Sequence, residues 1–214
     1  RDGVVVMAHR ADARLPVASL TKLMTALLVV ESLPGGTPVT IDPRAAREGG
    51  SRLGLRVGER FSVDELLAAV MMASANDACL ALALAVAGDV GRFVARMNAR
   101  AEGLGLHDTR FGNPCGHDRP AGWSSARDLR VLAHRVLEEP RLSGPAGAVR
   151  ARIGGGAGRR VFELVNRNEL VGRYPGITGV KTGYTPAAGR CLVATAVRGG
   201  RRAALELLGA RERW

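Results

Sequence analysis

The chain has 214 residues, 46% of them hydrophobic and 24% charged, with a formal net charge of +11. That length buries a full core as one large domain or two small lobes, and no stretch approaches the ~18–20 apolar residues of a membrane span. Cys79, Cys115 and Cys191 show no C-x-x-C spacing, which excludes a disulfide scaffold and a zinc ribbon. The arginines are scattered along the whole chain rather than gathered in one run, so the charge reads as solvated faces and no nucleic-acid partner is expected.

Val4–His9 reads as a strand of β-branched residues after a turn-like start, with a hairpin partner expected upstream. Pro16 and Ser19 introduce a helix over about 20–33, where Leu23, Leu27 and Val30 follow helical spacing and Pro34-Gly35-Gly36 ends it. Residues 37–60 read as short strands and loops. Ser62-Val63-Asp64-Glu65 is a capping box that opens a helix to about Ala73. Ser74-Ala75-Asn76 interrupts it, and a second apolar helix runs from about Asp77 to Ala87. Further helices are predicted over about 91–102 and from Ser125 to Leu137, where Pro140 lies beyond the end. Residues 111–122 form a loop in which Cys115-Gly116-His117 offers two possible metal ligands without a second pair, so a loop role is favoured there.

From about Ala148 the periodicity changes to that of strands. Val149–Ile153 and Arg160–Asn166 flank Gly154-Gly155-Gly156-Ala157-Gly158 and read as a hairpin. The glycine run lacks the Gly-Lys-Ser/Thr ending of a phosphate loop and precedes a strand, so that reading is rejected. Val180–Thr182, Cys191–Arg198 and Ala203–Leu208 complete an antiparallel set, giving a helical middle inserted into a sheet built from both ends.

Of the 31 basic residues only Lys22 and Lys181 are lysines. Lysine sheds its proton when desolvated, whereas arginine does not. Lys22 lies in Ser19-Leu20-Thr21-Lys22 at a helix start, so Ser19 and Lys22 share one face. A serine hydroxyl is a poor nucleophile until a base takes its proton, and a neutral amine serves once burial and nearby positive charge favour the uncharged form. Alone, such a pair is as well explained by a serine that begins a helix. Ser74 and Asn76 break an apolar helix with polar side chains that are costly unless they face a cleft, although a capped turn would look the same. Lys181-Thr182-Gly183 lies on a predicted strand, where glycine leaves room for a ligand backbone.

Ser-x-x-Lys, Ser-x-Asn and Lys-Thr-Gly in this order form the triplet of penicillin-binding proteins and class A β-lactamases. The chain resembles the low-molecular-mass penicillin-binding proteins, the serine-type D-alanyl-D-alanine carboxypeptidases. The likeness runs through Arg14–Ala26, Ser74–Cys79, Phe111–Pro114, Ser125–Asp128, Asn166–Asn168 and Gly176–Thr185.

The resemblance implies an α/β fold, a β-lactamase/transpeptidase-like three-layer α-β-α sandwich with an antiparallel sheet and an inserted all-helical lobe. It implies one catalytic domain over 1–214, with a sheet lobe about 1–33 and 148–214 and a helical lobe about 34–147. Ser19 would attack the carbonyl between the terminal D-alanines of a peptidoglycan stem peptide, Lys22 would take its proton, and Ser74 would pass a proton to the leaving D-alanine. Asn76 would hold Lys22 and a substrate amide, and Lys181 and Thr182 would attract the terminal carboxylate. Gly183 would make room for the ligand, and the N–H groups of Ser19 and Tyr184 would form the oxyanion hole. Members of the family place an arginine beyond the last strand, for which Arg211 and Arg213 are the candidates. β-Lactams would acylate Ser19. No metal or cofactor is implied. The location would be extracytoplasmic, with membrane attachment by segments outside this chain. A D,D-endopeptidase, a transpeptidase or a β-lactamase shares the acylation step, and an inactive wall-binding module is the alternative of a different class.

Overall fold

The computed structural model describes residues 3–154 and 160–212. A 3-10 turn, Ala18–Thr21, leads into α1, Lys22–Ser32. Lys22 through Val29 of α1 are all buried, which places this helix at the centre of the molecule. β1 (Pro38–Thr40) pairs antiparallel with β2 (Arg60–Ser62), and α2 (Pro43–Ala46) lies between them. The capping box forms as expected: Ser62 Oγ accepts from Glu65 N while Glu65 Oε2 accepts from Ser62 N, opening α3 (Val63–Ala68).

The interruption at Ser74 is present and has an unusual geometry. Ala69–Ala73 form one π-helical turn, and Ser74 sits at φ 59°, in the left-handed region. α4 (Asn76–Ala87) then restarts with every residue from Asn76 to Leu84 buried, as its all-round apolar sequence requires. α5 (Val90–Gly103) and α6 (Ala126–Glu138) are amphipathic and pack on α1 with their apolar faces. Asp89 caps α5 and Ser125 caps α6.

Three expectations are corrected. Val4–Met7 forms no strand: its side chains are exposed, and among the described residues no neighbouring chain pairs with it. A β-branched run needs a partner to become a strand, so the described sheet comes from the C-terminal segment alone. Pro140 opens a helix, α7 (Pro140–Gly147), instead of marking a stop, because proline suits the first turn, where its missing N–H costs nothing. The expected single helix over 20–33 begins as the 3-10 turn.

β3 (Arg150–Gly154) and β4 (Val161–Val165) pair antiparallel as a two-stranded sheet, while 155–158 of the expected glycine loop lies outside the described residues. β5 (Ile177–Thr185), β6 (Gly189–Arg198) and β7 (Arg201–Ala210) form an antiparallel sheet in sequence order. α6 packs on β7, α7 on β5, and the 3-10 turn carrying Ser19 lies against β5. That last contact brings the first and third motifs together.

Candidate active site

Ser19 sits in the 3-10 turn, partly exposed, and Lys22 opens the buried helix directly after it. Their spacing of three puts Lys22 Nζ 2.9 Å from Ser19 Oγ. The second partner of Nζ is the carbonyl oxygen of Cys115, at 2.5 Å. Both acceptors are uncharged, and Lys22 is fully buried.

The Cys115 carbonyl is a functional group that no side-chain pattern could reveal. Asn113 builds the loop that presents it. Its Oδ1 accepts from the backbone N–H groups of Cys115, Gly116 and His117, and its Nδ2 donates to the carbonyls of His117 and Pro120. Thr25 Oγ1 on α1 and Cys79 Sγ on α4 both donate to Pro114 O, tying this loop to the two central helices. Gly116, at φ 83°, passes so close to the 3-10 turn that a Cβ there would lie 1.9 Å from Ala18 O and 3.0 Å from Ser19 N. On the opposite side, a Cβ on Gly183 would lie 3.0 Å from Val17 O and 3.1 Å from Ser19 N. The backbone of the nucleophile is therefore clasped between two glycines.

Ser74 is buried, and its Oγ has no hydrogen-bond partner among the described residues. A non-glycine residue in the left-handed region with an orphaned buried hydroxyl is doubly unfavourable, the mark of a group kept for a ligand. Asn76 is buried at the start of α4, but it does not bond to Lys22 as expected. Its Nδ2 donates to Gly49 O at 2.7 Å, and its backbone N–H donates to Ser51 O. The Cys115 carbonyl occupies the position on Lys22 that sequence reasoning gave to Asn76.

Lys181 lies in the middle of β5, 1% exposed, with Nζ 3.4 Å from its nearest acceptor, Thr182 O. Burial pushes its pKa well below the usual lysine range; the charge of Lys22 and then that of Arg167 push in the same direction. Arg167 lies in the Asn166–Asn168 segment of the resemblance, for which the sequence offers no role. Its backbone N–H donates to Met72 O in the π-helical turn, which binds the β4–β5 connection to the second motif. Thr182 is half-buried next to Lys181, and Tyr184 is 60% exposed at the end of the strand, with the Arg190 guanidinium 5.2 Å from its ring centre. Arg213 lies outside the described residues, and Arg211 is exposed just after β7. The structure thus sets Gly183 of the third motif beside Ser19 and links Asn76 of the second to Lys22 through Cys115, whose carbonyl accepts from Nζ while its Sγ lies 3.6 Å from Asn76 O.

The model of the D-alanyl-D-alanine carboxypeptidase family matches residues 1–212. The chain belongs to that family. The D-alanyl-D-alanine carboxypeptidase DacF of Bacillus subtilis is 38% identical over 213 residues, which cover 97% of this chain and 54% of that protein. The chain spans about half the length of several curated relatives that it matches. Penicillin binding protein 6B from Escherichia coli superposes with a TM-score of 0.87 at 34% identity, over 98% of this chain and 68% of that one. A mutant of a Streptomyces DD-transpeptidase superposes at 0.88 with 31% identity, over 96% and 85%. Within the carboxypeptidase family, then, this chain has the mixed α/β fold with antiparallel strands that its solved relatives share.

Proposed function

We propose that the chain is a serine D,D-carboxypeptidase that cleaves the terminal D-Ala-D-Ala bond of peptidoglycan stem peptides outside the cytoplasm. The observation that carries this reading is the 2.9 Å contact between Lys22 Nζ and Ser19 Oγ. The ligand's terminal carboxylate seats against Lys181 and Thr182, a charge-assisted contact. Burial disfavours a bare ammonium at Lys181, so the incoming carboxylate draws a proton onto it.

Lys22 Nζ then takes the proton of Ser19 as Oγ attacks the penultimate D-alanine carbonyl. The negative charge on the carbonyl oxygen is met by the N–H groups of Ser19 and Tyr184. Ser74 Oγ gives its proton to the departing D-alanine nitrogen and regains one from Lys22, which restores the amine, and Asn76 contacts the substrate amide. Water hydrolyses the acyl-serine, returning the hydroxyl proton to Ser19. A β-lactam carries the same carbonyl and carboxylate, acylates Ser19 and leaves slowly. An arginine near the end of β7, Arg211 or Arg213, adds to the carboxylate contact.

The same reading makes 1–214 one catalytic domain. The lobe of 1–33 and 148–214 holds the β5–β7 sheet as the middle layer of a three-layer α-β-α sandwich, with 34–147 inserted as a helical lobe. The exposed Arg201–Leu205 run of β7 supports a further cover on that side of the sheet. Incubation with a D-Ala-D-Ala-terminated peptide tests the activity: stoichiometric D-alanine release that vanishes in Ser19→Ala is expected, and release that survives this change refutes it. The likeness to a DD-transpeptidase supports a second reading, in which an amine replaces water. Product that incorporates an added amino acid in place of the released D-alanine would favour it.

A further inference from the structure

A second cluster of reactive side chains lies beside the acylation centre and takes no part in the scheme above. Glu48, Cys115 and His117 each offer a ligand atom, and these atoms lie within 4.8 Å of one another. The sequence places Cys115 and His117 two residues apart in one loop, but the third group arrives from the segment after α2. His117 Nε2 and Glu48 Oε1 are already 2.5 Å apart. The thiol of Cys115 is buried at the base, while Glu48 and His117 are partly open to solvent.

An imidazole, a thiol and a carboxylate form a mixed nitrogen, sulfur and oxygen donor set. Magnesium and calcium prefer all-oxygen cages, whereas zinc accepts each of these ligands. Zinc bonds of about 2.0–2.3 Å set tetrahedral ligand atoms roughly 3.5 Å apart. Glu48 and His117 would part slightly to admit the ion, and the thiol would draw in. The thiol proton goes to solvent as the sulfur–metal bond forms, with no change of oxidation state. Its present partners, Asn76 O at 3.6 Å and the thiol of Cys79, would give way to the ion. Three protein ligands leave the fourth position to water.

The cluster is wired to the catalytic groups through the backbone. The carbonyl of Cys115 itself accepts from Lys22 Nζ, and Glu48 precedes Gly49, whose carbonyl holds Asn76. We propose that Glu48, Cys115 and His117 bind a zinc-class cation, and that loading this site slows acylation of Ser19 by shifting the carbonyls that seat Lys22 and Asn76. Metal binding itself does not depend on the carboxypeptidase reading and is measured directly.

Equilibrium dialysis against zinc, with wild type, Glu48→Gln, Cys115→Ser and His117→Ala, is the test. One zinc per wild-type chain is expected, with affinity lowered at least ~10-fold in each variant. Cobalt(II) should give a thiolate-to-cobalt absorption band in wild type that is missing in Cys115→Ser. Zinc should slow labelling of the wild type by a fluorescent penicillin at least ~10-fold, reversibly with a chelator. His117 is partly exposed, so His117→Ala keeps the test decisive should Cys115→Ser misfold. Absence of stoichiometric zinc, equal affinity in wild type and His117→Ala, or labelling of the zinc-loaded chain at the metal-free rate would each overturn the proposal.

Discussion

A hydroxyl becomes a nucleophile only when a base stands within hydrogen-bond reach, and Lys22 Nζ stands 2.9 Å from Ser19 Oγ. Arginine at this position keeps a positive charge and cannot accept the proton. Lys22→Arg is expected to slow acylation at least ~100-fold, read by penicillin labelling; a near-normal rate would remove lysine as the base. Lys181 presents the opposite case: the proposed role requires a charge, yet the residue is buried where charge is disfavoured. Its depressed folded-state pKa means that the unfolded chain binds one more proton between that value and about 10.4. Stability from this group therefore rises with pH across that window, and the cost of folding is fully present below it. Lys181→Met should raise thermal stability at neutral pH by on the order of 1–3 kcal/mol while abolishing carboxylate recognition. The stability gain should shrink as pH approaches 10, followed by thermal melts across the range. In wild type, affinity for carboxylate ligands should fall as pH rises through the Lys181 titration.

At the scale of elements, the site depends on close contacts between backbones. Gly116 leaves no room for a methyl group against Ala18 O, whereas Gly183 meets its neighbours at 3.0–3.1 Å, a crowding that small shifts relieve. Gly116→Ala should cut acylation by at least ~100-fold, comparable to losing a catalytic contact, and Gly183→Ala by less; the order of the two rates checks the argument. Asp77 holds a second junction. Its buried carboxylate accepts from the N–H groups of Leu53, Gly54, Leu55 and Ala78, fastening the 51–55 segment to the start of α4. Asp77→Ala orphans those donors and should cost about 3 kcal/mol in denaturant unfolding. The helices and their caps were legible because Ser62, Ser125 and the apolar spacing of α1 act locally. The Cys115 carbonyl, 93 residues from Lys22, was not, since a backbone acceptor leaves no mark on residue type. The Asn76 amide was assigned to Lys22 because the two are placed near each other by the motif, yet a closer carbonyl, Gly49 O, claims it.

For the whole molecule, three short motifs carried the family into view, and the two lysines among so many arginines both fall within them. The close approach of Gly183 on β5 to Ser19 in the 3-10 turn then brings together segments far apart in sequence. The Val4–Met7 run misled because strand formation is decided by a partner, not by composition. The net charge of +11 suits an anionic wall polymer, and binding to one should weaken steeply as salt shortens the screening length from about 10 Å at 0.1 M to about 3 Å at 1 M. The most direct measurement is mass spectrometry of the intact chain after exposure to penicillin, with the modified peptide mapped. The account predicts one adduct, on Ser19, formed far more slowly in Lys22→Arg. An adduct on another residue, or equal rates of formation in the two proteins, would contradict it.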